Sequence, residues 1–126
     1  IGLAGFNAIK RLKADYAWAM DIEICVFPQE GLFNYPGTEE LLRAALDNGA
    51  DLLGGCPYMD TDPHGQILRL FEMARDYDVD LDFHLDFDLD ASWRHLDEVA
   101  KQSTAFGWQG RRGQMHKHYW HSTMTT

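Results

Sequence analysis

The sequence predicts an α/β fold in which helices alternate with three parallel strands, and two observations support this prediction. Apolar runs rich in β-forming residues lie at positions 22–27, 51–56 and 79–85. They recur at intervals of about thirty residues, which is the length of a βα repeat. Segments with helical start and stop signals lie between these runs. Because each strand is followed by a helix, the strands are expected to run parallel and to be joined by right-handed crossovers.

Four helices are expected, and the last three have a polar residue or a proline at the start or a glycine at the end. They cover approximately residues 5–16, residues 38–49, a segment that begins at residues 62–63, and residues 92–106. Asp62 followed by Pro63 joins a preferred N-cap residue to a preferred first helical residue. Thr38 stands before two glutamates at the start of the second helix, and Gly49 and Gly107 are placed to end the second and fourth helices.

The third strand run predicts the architecture more closely, because its residues alternate strictly between apolar side chains and Asp or His from position 79 to position 90. Successive side chains of a strand point to opposite faces. The polar face would carry Asp80, Asp82, His84, Asp86 and Asp88. Strands of an open parallel sheet are buried on both faces, whereas inward side chains at the mouth of a closed barrel meet water and substrate. The pattern therefore predicts a fragment of a (β/α)8 TIM barrel with about three strands, since a whole barrel needs about 250 residues.

The composition excludes some classes of partner. Eleven Lys and Arg residues against twenty Asp and Glu residues give a formal net charge of −9, and an acidic surface repels phosphate backbones and anionic lipid. The two cysteines form no CxxC motif, and no apolar stretch approaches the roughly 20 residues that a membrane span needs. We expect a reduced, cytoplasmic protein with neither a nucleic-acid partner nor a membrane partner.

Chemically unusual residues follow each predicted strand, where barrel enzymes build their active sites. These segments are Phe27-Pro28-Gln29-Glu30-Gly31, Gly55-Cys56-Pro57-Tyr58 and His84-Leu85-Asp86. With the segment at 17–26, the helix segment at 39–42 and Gly49-Ala50-Asp51, they make the chain resemble the amidohydrolase superfamily, specifically its cytosine-deaminase-like branch. The resemblance covers about residues 5–110.

The resemblance implies a reaction and a set of site residues. In this family a mononuclear divalent metal, zinc or iron, activates a water that attacks the carbon of a C–N bond in a cyclic amide or amidine. His84 matches the metal ligand at the end of the fifth barrel strand, and Gln29 matches the glutamine that hydrogen-bonds the heterocycle. The implied partner is a small heterocyclic substrate. The exact substrate, the leaving group, the metal and the oligomeric state, including a homo-oligomer, stay open.

The chain also departs from the family pattern. Phe87 stands where the family has the proton-shuttling glutamate, so Asp86 and Asp88 are the candidates for proton transfer, and Asp86 is preferred because it is nearer to His84. The family's other metal ligands lie outside this chain. The composition changes after Gly110, so residues 1–110 are expected to form a partial barrel and residues 111–126 a divergent tail, for which a reading-frame shift is one hypothesis.

The sequence therefore leaves two functional readings. The first is a part of a metal-dependent amidohydrolase that is inactive as an isolated fragment. The alternative is a non-catalytic barrel remnant or binding module, in which His84 is a structural histidine and the aspartates form a solvated edge. Cys25 and Cys56 are interpreted as small core residues rather than nucleophiles. The tryptophans are expected to pack in the core or against helices, namely Trp18, Trp93 and Trp108.

Overall fold

A computed structural model describes residues 2–86 and 90–108 of the chain. Within these ranges the order of helices and strands is α1 (Ala4–Asp15), β1 (Cys25–Val26), α2 (Thr38–Asp47), β2 (Leu52–Gly55), α3 (Pro63–Tyr77), β3 (Asp80–Phe83) and α4 (Leu96–Ala105). The strands form one parallel sheet in the order β1-β2-β3. The predicted α/β fold with three parallel strands is confirmed, although each strand is shorter than its apolar run. No helix among these described residues is long and apolar enough to cross a membrane.

The core lies between the sheet and the helices. Leu53 pairs in register with Leu81, and both are buried against the helix layer. Phe83 also faces this layer, where its ring lies 5.9 Å from the ring of Phe71 in α3. Burial along β3 alternates, with the apolar residues buried and Asp80 and Asp82 only partly buried. The predicted alternation is therefore present in β3, and it turns the acidic face away from the helices.

Polar contacts join helix α1 to the residues beside β1 and β2. None of its residues is buried. The Lys13 ammonium group lies 2.6 Å from a carboxylate oxygen of Asp51, and Asp51 also accepts a hydrogen bond of 2.7 Å from the backbone N–H of Ile24. Trp18, just after α1, is 85% exposed, so its predicted place in the core is wrong, because no described element covers this turn. Trp108 packs against Phe71 with ring centroids 6.0 Å apart, as predicted.

Local capping explains where the predicted helix starts agree with the structure and where they differ from it. Asp62 caps α3 by accepting a hydrogen bond from the N–H of Gly65, as its position before Pro63 predicts. The predicted start of α4 at Ser92 is four residues too early. The carboxylate of Asp90 accepts hydrogen bonds from the N–H and hydroxyl of Ser92, which form a short 3-10 turn at Ala91–Trp93 instead. The side chain of Trp93 lies outside the described part of the structure.

Candidate functional site

The carboxyl ends of the three strands meet at one edge of the sheet. Val26 pairs with Leu53, and Gly55 pairs with Phe83, so the residues that follow β1, β2 and β3 leave the sheet on the same side. The backbone N–H of His84 donates a hydrogen bond of 2.9 Å to the carbonyl of Gly55, which extends the β2–β3 pairing by one residue. The segments that the sequence singled out after β1 and β3 are therefore close in space.

The imidazole of His84 is exposed at this edge and contacts the aromatic residue that follows β1. Its ring centroid lies 5.2 Å from that of Phe27, at an interplanar angle of 36°. Gly54 of β2 has no side chain, and neighbouring atoms of β1 and β3 approach it closely. A Cβ atom at this position would lie 2.7 Å from the Asp82 carbonyl oxygen, 3.0 Å from the Cys25 sulfur and 3.1 Å from the Phe27 Cβ. These contacts place Cys25, Phe27 and the strand that carries His84 around Gly54, on the face opposite the helix layer.

This face contains a carboxylate beside two cysteines. Asp82 Oδ1 is buried and has no hydrogen-bond partner among the described residues. Burial, followed by the nearby charge of Asp82, raises the pKa of the Cys25 thiol to about 12, and burial also raises the pKa of Cys56. A reactive cysteine needs a low pKa to form a thiolate, so both thiols have the character of inert core residues. This supports the sequence interpretation of the two cysteines.

Asp86 lies beyond the end of β3, where the backbone is no longer extended. Its φ angle is +53°, in the left-handed region that is uncommon for residues other than glycine. Its Oδ1 accepts a hydrogen bond of 2.7 Å from the backbone N–H of His95 and lies 3.9 Å from His95 Nδ1. Asp86 therefore contacts the start of α4, and its role in proton transfer stays a prediction. Asp88 and Phe87 lie outside the described residues.

Gln29 is exposed in a tight turn directly after β1. Its backbone N–H donates a hydrogen bond of 3.1 Å to the Phe27 carbonyl, and the N–H of Gly31 donates one of 2.9 Å to the Pro28 carbonyl. Gln29 and Phe27 line an open cavity of about 360 Å³ between α1, β1 and α2. The turn thus presents the glutamine side chain at the edge of the sheet that also carries His84.

Two buried polar residues near this edge, Asp60 and His95, were not predicted from the sequence as site residues. The carboxylate of Asp60 is buried and accepts hydrogen bonds from the backbone of the loop after β1. His95 is also buried, with its ring 6.0 Å from that of His64 in an edge-to-face arrangement. An Asp shortly before a helix is typical of a solvated turn or a cap, so the sequence does not single out Asp60. No sequence signal distinguished His95.

The described residues do not make a complete metal centre. Within residues 2–86 and 90–108, no group of three or more His, Cys, Asp or Glu side chains could hold a metal ion. A zinc site uses at least three protein ligands. His84, directly after β3, provides one exposed imidazole, so the described residues fit such a site only as a part of its ligand set.

Comparison with known proteins identifies the class to which the chain is related. Its structural neighbours are TIM-barrel amidohydrolases, and its homologues are amidohydrolase-superfamily enzymes matched over a partial region. No family model matches the chain. The chain is 29% identical over 107 residues to an N-isopropylammelide isopropyl amidohydrolase of Pseudomonas sp. strain ADP, which is 83% of this chain and 27% of that protein.

Two solved structures give the same result. One is 5-methylcytosine deaminase from Klebsiella pneumoniae liganded with phosphonocytosine, which is 31% identical with a TM-score of 0.79 over 83% of this chain and 26% of that one. The other is N-isopropylammelide isopropylaminohydrolase from Burkholderia multivorans, which is 34% identical with a TM-score of 0.79 over 86% of this chain and 28% of that one. The chain thus spans about a quarter of the length of these relatives, and the predicted resemblance to the superfamily is confirmed over that region.

Proposed function

We propose that this chain is part of a metal-dependent amidohydrolase that hydrolyses a C–N bond of a cyclic amide or amidine. The observation that carries the proposal is the placement of an exposed His84 and an exposed Gln29 at the same carboxyl edge of a parallel sheet. Barrel enzymes assemble their active sites at this edge. Homology to enzymes named for deamination and amidohydrolysis supports the same reaction class.

The chain's own residues would have separate tasks in this reaction. A bound zinc or iron ion would lower the pKa of a water molecule toward neutrality. His84 would be one of its ligands, and the further ligands would come from outside the described residues. Gln29 would hold the heterocycle, because a carboxamide can donate and accept hydrogen bonds at once, as a ring with alternating N–H and C=O groups requires. Asp86, with Asp88 as the second candidate, would move the proton to the leaving group.

The substrate class is a small, planar heterocycle. Phosphonocytosine and 5-fluorocytosine are the ligands named for the solved Klebsiella deaminase. In this chain the ring of Phe27 lies beside His84, and Phe27 lines the same open cavity as Gln29, so it offers an apolar surface to a flat ligand. Polar groups at one edge and an aromatic surface beside them are typical of a site for a small heterocyclic molecule.

The test is to express the complete open reading frame that contains this sequence and to measure turnover and metal content together. The assays would follow ammonia release from 5-methylcytosine and amine release from N-isopropylammelide. His84→Ala should lower the metal content and abolish turnover together, because it removes a ligand. His64→Ala is the matched control, since His64 is an exposed histidine on α3 that lies 3.9 Å from Glu98 and is not a predicted ligand.

Two results would contradict the proposal. Full metal occupancy in the His84→Ala protein would remove this histidine from the metal site. A folded wild-type protein without turnover of any cyclic amide or amidine would favour the alternative, a non-catalytic barrel remnant or binding module.

A further inference from the structure

A buried carboxylate connects the loop after β1 to the loop after β2. Asp60 is 8% exposed and precedes the N-cap of α3 by two residues. Its Oδ2 accepts hydrogen bonds from the backbone N–H of Leu32 at 2.5 Å and of Phe33 at 3.3 Å, and from the side-chain amide of Gln66 at 2.6 Å. Hydrogen bonds to an ionised acceptor are stronger than those between neutral groups. The Asp60 carboxylate therefore holds backbone that is 28 residues earlier in the chain.

The side chain of Asn34 makes a second connection between the same two loops. Its Nδ2 donates hydrogen bonds of 2.7 Å to the carbonyls of Glu30 and Met59, and its Oδ1 accepts one of 3.1 Å from the N–H of Thr61. Both ends of one carboxamide are thus used, within its own loop and across to the next. Asn34 thus ties the loop after β1 to itself through the Glu30 carbonyl, and to the loop after β2 through Met59 and Thr61.

Gly31 lies between Glu30, whose carbonyl accepts from Asn34, and Leu32, whose N–H donates to Asp60. It allows the loop after β1 to approach the loop after β2 closely. Its φ angle is +93°, in the region that favours glycine. A Cβ at this position would collide with the Asn34 amide and would lie 3.1 Å from the Met59 carbonyl. Gln29 is two residues before Gly31 and two residues after Phe27, so its backbone is confined between the end of β1 and a fixed turn.

We infer that Asp60 is a positioning residue that fixes the loop carrying Gln29, so that the glutamine meets the substrate in one conformation. The inference rests on the proposed function, in which Gln29 contacts the heterocycle. A loop that is ordered before binding does not lose its conformational freedom when the ligand binds, so affinity is higher. Asp60 acts through this loop and does not itself touch the substrate.

The same hydrogen bonds would also stabilise the fold, and a matched variant separates the two effects. Asp51 likewise accepts a backbone hydrogen bond, from the N–H of Ile24 at 2.7 Å, which is 27 residues away in the chain. It lies just before β2, at the opposite edge of the sheet from Gln29. Asp51→Asn therefore makes the same chemical change as Asp60→Asn without disturbing the Gln29 loop.

The experiment measures amide hydrogen exchange and steady-state kinetics in the protein from the complete reading frame. Asp60→Asn should reduce exchange protection at Leu32 and Phe33 about tenfold and raise KM about tenfold, with kcat within about twofold of wild type. Asp51→Asn should leave both the protection of this loop and KM unchanged. In a Gln29→Ala background, Asp60→Asn should raise KM by less than about twofold, because its effect requires the glutamine.

The outcomes distinguish this inference from the proposed function. Wild-type protein without turnover overturns the proposed function before any variant is compared. With an active wild type, the inference is overturned by unchanged protection at Leu32 and Phe33 in Asp60→Asn, or by a full tenfold rise in KM in the Gln29→Ala background. If Asp60→Asn does not fold, Asn34→Ala removes the second connection and should give the same protection and KM changes, and unchanged values there also overturn the inference.

Discussion

Gly54→Ala is expected to damage the sheet at the point where the candidate site is built. The added Cβ would lie 2.7 Å from the backbone carbonyl oxygen of Asp82. An ordinary carbon–oxygen contact is about 3.3 Å or longer, so β2 and β3 would have to separate locally by about 0.6 Å. The carbonyl belongs to the backbone and cannot rotate away. The Cys25 sulfur and the Phe27 Cβ, at 3.0 and 3.1 Å, close the other directions.

The size of the effect follows from two opposing contributions. Overpacking of this kind costs about 1–3 kcal/mol, and contact with backbone places Gly54→Ala near about 3 kcal/mol. Replacement of glycine by alanine restricts the unfolded chain, which returns up to about 1 kcal/mol. We expect the free energy of unfolding to fall by about 2 kcal/mol. The same separation of strands should displace His84, whose backbone bonds to Gly55, and so lower the metal content and turnover.

The assay is urea denaturation followed by circular dichroism, together with turnover, in the protein from the complete reading frame. Gly5→Ala in α1 is the matched control, because a Cβ built at Gly5 has no described atom within 4 Å beyond its chain neighbours and the backbone of its own helix. Its free energy of unfolding should stay equal to that of wild type or rise by up to about 1 kcal/mol. Equal stability of Gly54→Ala and wild type would refute the steric argument. Lost stability with unchanged turnover would refute the link between strand spacing and His84.

Three further predictions concern single side chains of the site. Asp86→Asn should cut kcat by roughly 10²–10⁴ with metal retained, because it removes an ionisable group and keeps its shape; a silent Asp86→Asn with an impaired Asp88→Asn would assign the proton to Asp88. Gln29→Ala should leave the metal content unchanged and mainly raise KM, as measured by metal analysis and kinetics; loss of metal would contradict its role in recognition. Cys25, with its pKa raised to about 12, should alkylate far more slowly at pH 8 in the native protein than in urea, because the thiolate fraction is small.

The sequence predicts most of the fold because its signals are local or periodic. Asp62 and Pro63 begin α3 where expected, since a cap and a fixed φ angle act within one turn. The alternation in β3 survives because one face of the strand meets the helix layer. The start of α4 was misplaced because Asp90 and Ser92 can cap either an α-helix or a 3-10 turn, and the same local signal precedes both. Trp18 was misplaced because apolar character alone does not show which element covers a residue.

Of the candidate site, the sequence predicts only the residues that follow the ends of strands. His84 and Gln29 both lie at the carboxyl edge because parallel strands finish on the same side, a consequence of topology that the strand pattern already contains. Asp60 and Asp86 could not be placed in this way. Their partners are backbone N–H groups, of Leu32 at 28 residues' separation and of His95 at nine, and backbone donors carry no side-chain signature in the sequence.

Asp82 gives an energetic argument for function on the acidic face that does not depend on homology. Its Oδ1 is buried without a hydrogen-bond partner among the described residues, and a buried unpaired acceptor costs about 1–3 kcal/mol, or more when it is charged. The Asp82 carboxylate lies two residues before His84 in the alternating pattern, so this oxygen calls for a hydrogen-bond donor on the face where the proposed site is built.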